Sequence, residues 1–412
     1  MRIGHIIIVA AYLLCPVIVL ARALWLRAVQ RRSLPLRRFR LTSLAGMMAG
    51  VLISVTFALS IHGRLMVSQV LLCGYLATSL ILILQIADTL LWNICRFVFQ
   101  LRRRPLPSLG YNIRALMALG VRAAVVICIG IPYVLATMMT YRPRAESIDD
   151  PTTLFNWRYE SVNFAAVVDH TRINGWWIPS PGGASVETVI LCPGSGADKA
   201  GQLSLVKRLL PDGYNVLVID FRGHGDSGGQ LCSFGDLERR DVLGAVRWLR
   251  ETHPSACQKI AGIGVSTGGA ALLAAAADPS VEGQNIDAVA VYGTFDRLDH
   301  ETAVMVDMCV PMPLSWFVNR VGLPLAGWQV GADLKSFAPA EEIKAIWPRP
   351  VLVIHGMDDE FVPFEQGQSL YDSALEPKQN FWISRCNHTG AIKSDAAAKR
   401  VKEVFDSARR LI

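Results

Sequence analysis

Gly264-Val265-Ser266-Thr267-Gly268 closes the apolar run that begins at Ile260 and opens an alanine-rich stretch ending at Ala277. A serine on a sharp strand-to-helix turn projects its hydroxyl above the sheet, and glycines two residues to either side remove the Cβ atoms that would collide there. The same turn would set the Thr267 N–H at a helix N-terminus, where a donor has no intrahelical partner and can face a developing oxyanion. Ser227 fits the same five-residue pattern in Gly225-Asp226-Ser227-Gly228-Gly229, but no helical run follows it. Context therefore selects Ser266, against the plainer alternative of a buried or capping serine in a glycine-rich turn. A serine hydroxyl is a poor nucleophile at neutral pH and needs a base. His388, in a short polar loop after the last strand-like run, is the candidate base, and its imidazolium would need a carboxylate to hold tautomer and charge.

These groups need a frame. Strand-like runs lie at 158–168, 172–179, 187–192, 215–220, 260–265, 286–292, 350–355 and 379–384, with helical patterns at 203–210, 236–252, 267–277, 365–375 and from about Ser394. Strand and helix in alternation predict a mostly parallel sheet covered on both faces. The first two runs have no helix between them and predict an antiparallel start.

Five ordered motifs carry a resemblance. They are Gly-Trp-Trp-Ile-Pro (175–179), Cys-Pro-Gly-Ser-Gly (192–196), Asp-Phe-Arg-Gly-His-Gly-Asp-Ser-Gly-Gly (220–229), His-Gly-Met-Asp-Asp-Glu-Phe-Val-Pro (355–363) and Asn-His-Thr-Gly (387–390), in addition to the serine turn. Residues 158–410 resemble the α/β-hydrolase superfamily, and within it membrane-anchored serine hydrolases of depalmitoylase-like and cell-surface esterase-like kinds. The resemblance implies an eight-stranded α/β-hydrolase fold and the chain order Ser, acid, His. It places the acid at Asp359, with neighbouring Asp358 as the alternative. The second oxyanion donor belongs to the loop after the third strand, where the family has His-Gly-x; here Pro193-Gly194-Ser195 stands instead, and the Ser195 N–H takes that place. Arg222 reads as a loop tether rather than a substrate ligand.

Charge divides the chain. Residues 1–140 hold 15 Arg, no Lys and a single acid, Asp88, for a net +14, whereas residues 141–412 carry a net −7. The pI near 9.0 therefore does not point to nucleic acid, and the mean hydropathy of +0.34 suits a membrane protein. Four apolar stretches, about 5–26, 41–61, 65–94 and 119–140, are each long enough to cross ~30 Å of hydrocarbon. Arginines crowd the first and third intervening loops, which predicts that both are cytoplasmic and that the N-terminus and everything after Tyr141 lie on the far side. The first stretch could instead be a signal peptide, but its charged flank is at the wrong end. Asp88 reads either as a functional intramembrane acid or as a group near the inner headgroups. Pro132 predicts a kink in the fourth stretch.

The organisation expected is a four-helix transmembrane region (1–140), a linker (141–157) and a hydrolase domain (158–412) with a cap-like apolar insertion at about 294–347. That insertion could line an acyl pocket, meet the bilayer or simply pack the core. No His or Cys spacing suits a metal, and no cofactor is expected; a disulfide among the five non-membrane cysteines is open. The function expected is a membrane-embedded serine hydrolase that cleaves an ester, thioester or amide of a small or lipid-like acyl substrate. The alternatives are a non-catalytic platform whose spans do the work, and an aminopeptidase-like hydrolase.

Overall fold

The structure is a computed structural model. It describes residues 3–60, most of 74–90 with 93 and 97, and 120–408 other than 123, 125–127, 129, 142, 143, 145, 146, 148, 183, 184, 210–212, 309–311 and 313. The chain divides into two compact units, Met1–Ile127 and Cys128–Ile412.

In the first unit, α1 (Ile3–Gln30) contains the first apolar stretch and α2 (Leu34–Ser60) most of the second. Among the described residues, one helix, Ala11–Gln30, is long and apolar enough to cross a membrane. Arg37, Arg38 and Arg40, expected in a loop, stand on α2, because Pro35 suits a first helical turn and arginine is a good helix former. Asp88, much of the third stretch and a smaller part of the fourth lie outside the described residues.

The second unit begins with α3 (Ile131–Thr140), the end of the fourth apolar stretch, and Pro132 sits in its first turn, where no N–H is needed. The sheet follows: β1 (Glu160–Ala165), β2 (Arg172–Ile178), β3 (Glu187–Cys192), β4 (Asn215–Ile219), β5 (Lys259–Val265), β6 (Ala288–Tyr292), β7 (Val351–Gly356) and β8 (Lys378–Ile383). Their order is β1-β2-β4-β3-β5-β6-β7-β8. β2 pairs antiparallel with both β1 and β4; every other pairing is parallel. Parallel strands buried on both faces read as unbroken apolar runs, and β3, β4, β6 and β7 do so.

Alternate residues feed opposite faces. Ile190, Val289, Val291 and Val353 pack on one side with α5 (Arg239–Thr252) and α6 (Thr267–Ala277). Val189, Leu191, Ala290 and Ile354 pack on the other with α4 (Leu203–Leu209) and α10 (Asp395–Ala408). Between β6 and β7 the expected insertion forms two helices, α7 (Leu298–Asp307) and α8 (Leu314–Val330). Ala136 of α3, Ala270 and Ala274 of α6, Leu298 of α7 and Leu323 and Ala326 of α8 share a third core. α9 (Phe364–Ser373) then follows β7. The polar stretch after α3 is tied down: the Arg144 guanidinium donates to the carbonyls of Gly225, Ser227 and Gly229. Each described cysteine is a free thiol.

Candidate active site

Ser266 follows β5, a central strand, with φ 53° and ψ −120°, a backbone conformation that a non-glycine residue adopts only under constraint. The constraint is visible. Its N–H donates to Tyr292 O (2.8 Å), and its carbonyl accepts from Gly269 N (2.9 Å) and Thr294 Oγ1 (3.2 Å). Glycine is required where β5 meets α6: a Cβ on Gly264 would lie 2.4 Å from Gly269 Cα, and one on Gly268 would lie 2.3 Å from the carbonyl oxygens of both Cys192 and Pro193. Ser266 does not spend its hydroxyl capping α6, and among the described residues that hydroxyl has no hydrogen-bond partner, His388 included. Ser227, by contrast, is buried and fully engaged, donating to Asp220 O (2.6 Å) and accepting from Asn174 N (2.8 Å).

Asp359 and His388 meet. His388 Nδ1 stands 2.7 Å from Asp359 Oδ2; a carboxylate only accepts here, so Nδ1 carries the proton and the neutral ring keeps its Nε2 lone pair free. Asp359 Oδ1 accepts the N–H groups of Phe361 (3.0 Å) and Val362 (2.9 Å), which fixes the carboxylate plane. The Asp359 side chain is buried, while Asp358 is exposed and uses its N–H on Cys386 O. Gly293, at the end of β6 with φ +54°, makes room for the pair: a Cβ there would sit 3.1 Å from His388 Nδ1 and 3.3 Å from Asp359 Oδ2. Serine, carboxylate and imidazole thus all lie beyond the C-terminal ends of parallel strands, β5, β7 and β8, where open α/β sheets hold their sites.

Thr267 and Ser195 line one small cavity together with Gly194, Cys232 and Phe234. The loop that carries Ser195 is held by His224, whose Nε2 accepts from Gly196 N (3.0 Å) while Nδ1–H donates to Arg222 O (3.0 Å). Arg222 is itself buried against Asp241 and Asp169, with bonds of 2.6 to 3.3 Å, as a tether is. Behind the carboxylate lies a second polar group of residues. His355 Nε2–H donates to Val362 O (2.8 Å) and stands 3.5 Å from Asp359 Oδ2, and burial pushes its pKa down, which keeps it neutral. Glu301 of α7 is buried beside Gln366, whose Nε2 donates to it at 3.3 Å, and burial raises its carboxyl to about 7. Sequence reasoning missed His224, Gly293 and Glu301. A glycine closing the apolar run 286–292 was the only signal for Gly293; His224 lay in the 220–229 motif without a role of its own, and Glu301 had no signal. Among the described residues no His, Cys, Asp and Glu group could hold a metal ion.

This sheet order, with a serine at the β5 turn and an Asp–His pair after β7 and β8, defines an α/β hydrolase. The X-Pro dipeptidyl-peptidase (S15) family matches residues 134–307. The YfhR protein of Escherichia coli O157:H7 is 30% identical over 239 residues, covering 57% of this chain and 75% of YfhR. Human protein ABHD12B is 27% identical over 198 residues, covering 47% of this chain and 51% of that protein. Among solved structures, the Pyrococcus furiosus esterase Pf2001 is 25% identical with a TM-score of 0.53, covering 65% of this chain and 98% of the esterase. The chain belongs to the α/β-hydrolase superfamily, as a hydrolase of the α/β fold.

Proposed function

We propose that the protein is a membrane-anchored serine hydrolase acting on acyl esters or other lipid-like acyl substrates. Ser266 attacks the carbonyl as His388 Nε2 takes its proton. Asp359 holds the imidazolium, and the Thr267 and Ser195 N–H groups receive the oxyanion. His388 then protonates the leaving group, and water hydrolyses the acyl-enzyme by the reverse proton path. The observation that carries this reading is the 2.7 Å His388–Asp359 bond, together with a strained serine whose hydroxyl is uncommitted. The open Ser266 hydroxyl is compatible with it, since catalytic hydrogen bonds often close only with substrate bound. The membrane half of the reading, four spans with the hydrolase unit on the far side, rests on the length of the apolar stretches and the arginine-rich loops.

Labelling by a fluorophosphonate probe tests the chemistry. Wild-type protein should label, and Ser266→Ala and His388→Ala should not; a folded wild type that never labels removes the serine mechanism. The S15 match favours a second reading, a peptidase acting on aminoacyl-proline amides. It covers Ser266 but stops short of Asp359 and His388. Turnover of short acyl esters beside aminoacyl-proline anilides separates the two.

A further inference from the structure

We propose that Phe361 walls the leaving-group side of the site, so that the preferred esters are those whose alcohol carries an aromatic or other bulky apolar group next to the departing oxygen. The inference rests on the Ser266–His388 mechanism proposed above. It goes beyond that mechanism by naming the half of the substrate that leaves.

A single apolar side chain in the open is ordinary unless the fold holds it there. Phe361 is held. Its N–H donates to Asp359 Oδ1 (3.0 Å), the N–H of Val362 donates to the same oxygen (2.9 Å), and the Val362 carbonyl accepts from the buried His355 (2.8 Å). Val362 is buried in the core that α6, α7 and α8 share, whereas Phe361, one residue before it, is 58% exposed. The exposed ring still touches the site. Its centroid is 5.7 Å from that of the His388 imidazole, with the planes 59° apart, inside the range of about 4.5–7 Å over which aromatic rings interact.

The mechanism says which half of a substrate meets that ring. His388 takes a proton from Ser266 and gives it to the departing oxygen, so that oxygen must come within about 2.6–3.2 Å of Nε2. Groups that flank the imidazole therefore flank the alcohol half, while the carbonyl of the acyl half turns its oxygen to the Thr267 and Ser195 N–H groups. One edge of the imidazole is already closed. Asp359 Oδ2 stands 2.7 Å from Nδ1, and a Cβ on Gly293 would lie 3.1 Å from Nδ1 and 3.2 Å from Cε1. The His388 side chain keeps 18% of its surface exposed, and the bare ring of Phe361 lies against it. An apolar group on the departing alcohol is brought to that place by the reaction itself, and covering the ring removes apolar surface from water.

The test uses the full chain and varies one half of the substrate at a time. Ethanol and benzyl alcohol are of similar acidity, so ethyl acetate and benzyl acetate differ in apolar contact more than in leaving ability. Wild-type kcat/KM should favour benzyl acetate by about tenfold, and Phe361→Ala should bring that ratio to about one. The ratio of ethyl hexanoate to ethyl acetate, which varies the acyl half, should not move. Phe361→Trp should keep the benzyl preference and Phe361→Leu lose most of it, and these two decide the matter if the alanine variant does not fold. All esters slowing together, with both ratios unchanged, would make Phe361 a support of Asp359 and overturn the subsite. A shift confined to the acyl ratio would put the ring on the other side of the carbonyl and also overturn it. A folded wild type that turns over none of the esters removes the Ser266 mechanism and the subsite together, whereas turnover with an unmoved benzyl ratio removes the subsite alone.

Discussion

Gly268→Ala is the sharpest probe of the proposed oxyanion site, because the atoms its added Cβ meets first belong to Cys192 and Pro193, where β3 passes into the loop of the proposed second donor. The new Cβ would lie 2.3 Å from Cys192 O and Pro193 O, and real Cβ atoms essentially never come within 3.0 Å. Both contacts are backbone, so the gap must open by about 0.7 Å, and the Pro193-Gly194-Ser195 loop moves away from Thr267. Losing one preorganised oxyanion donor costs about 10²–10³ in kcat, near 2.7–4 kcal/mol. A donor displaced rather than deleted should sit at the low end, about 10²-fold. The donors act on charge that develops in the transition state, so KM should change by less than about threefold. The His388–Asp359 bond is untouched. The assay is turnover of a short p-nitrophenyl ester, with a thermal melt to show that the variant is folded. Gly194→Ala serves as the graded control on the same loop: its Cβ would meet Val265 O at 3.4 Å and Ser266 Cβ at 3.5 Å, ordinary contacts, and should cost less than about threefold. A folded Gly268→Ala enzyme with wild-type kcat would refute the assignment of the donors to Thr267 and Ser195.

Gly293→Ala combines a positive φ, roughly 1–2 kcal/mol for an L side chain, with a Cβ 3.1 Å from His388 Nδ1; kcat should fall about tenfold or more, and an unchanged kcat would mean the imidazole is not held there. Arg222→Ala leaves Asp241 buried without its partner and should cost about 3–5 kcal/mol in a denaturant melt; a stable variant with raised KM would make Arg222 a substrate ligand instead. Glu301 gives a pH signature. Its folded carboxyl holds a proton up to about 7, against an ordinary 4.5, so the fold binds more protons than the unfolded chain between those values and stability falls as pH rises through them, by about 3 kcal/mol in all. Glu301→Gln should lessen the fall in melting temperature across that range, leaving the part owed to carboxyls that burial also raises, Asp241 among them, and a parallel decline in both proteins would assign the loss to those groups.

How much of this was legible depends on what kind of force placed each part. The strands could be read because burial on both faces forces unbroken apolar runs; β3 falls on 187–192 as expected, and α6 on 267–277. Ends drifted where side chains cap the backbone. The helix expected from Asp236 starts at Arg239, because the Glu238 carboxylate accepts the N–H groups of Ser233 and Gly235 and holds those residues in a turn. The insertion read as an apolar, proline-broken excursion. Its two helices could not be told from a loop, since Pro324 inside α8 reads as a breaker until the α3 face that supports that helix is known.

The site divides the same way. Ser266, Asp359 and His388 each stand next to a strand end, so local spacing could nominate them, and sheet order brought Asp359 and His388 to 2.7 Å. His224 could not be nominated. Its use depends on Gly196, on a loop 28 residues away, and on the tautomer that two backbone groups impose. The same holds for Glu301, an ordinary helix acid until Gln366 and the buried Asp359 surround it. The residues proposed to react are therefore marked by their own turn, whereas residues that hold their loops are marked only by what folds against them. Engineering this hydrolase from sequence alone would leave the proposed triad intact and break those supports, and the expected damage registers first in kcat and in the pH dependence of stability.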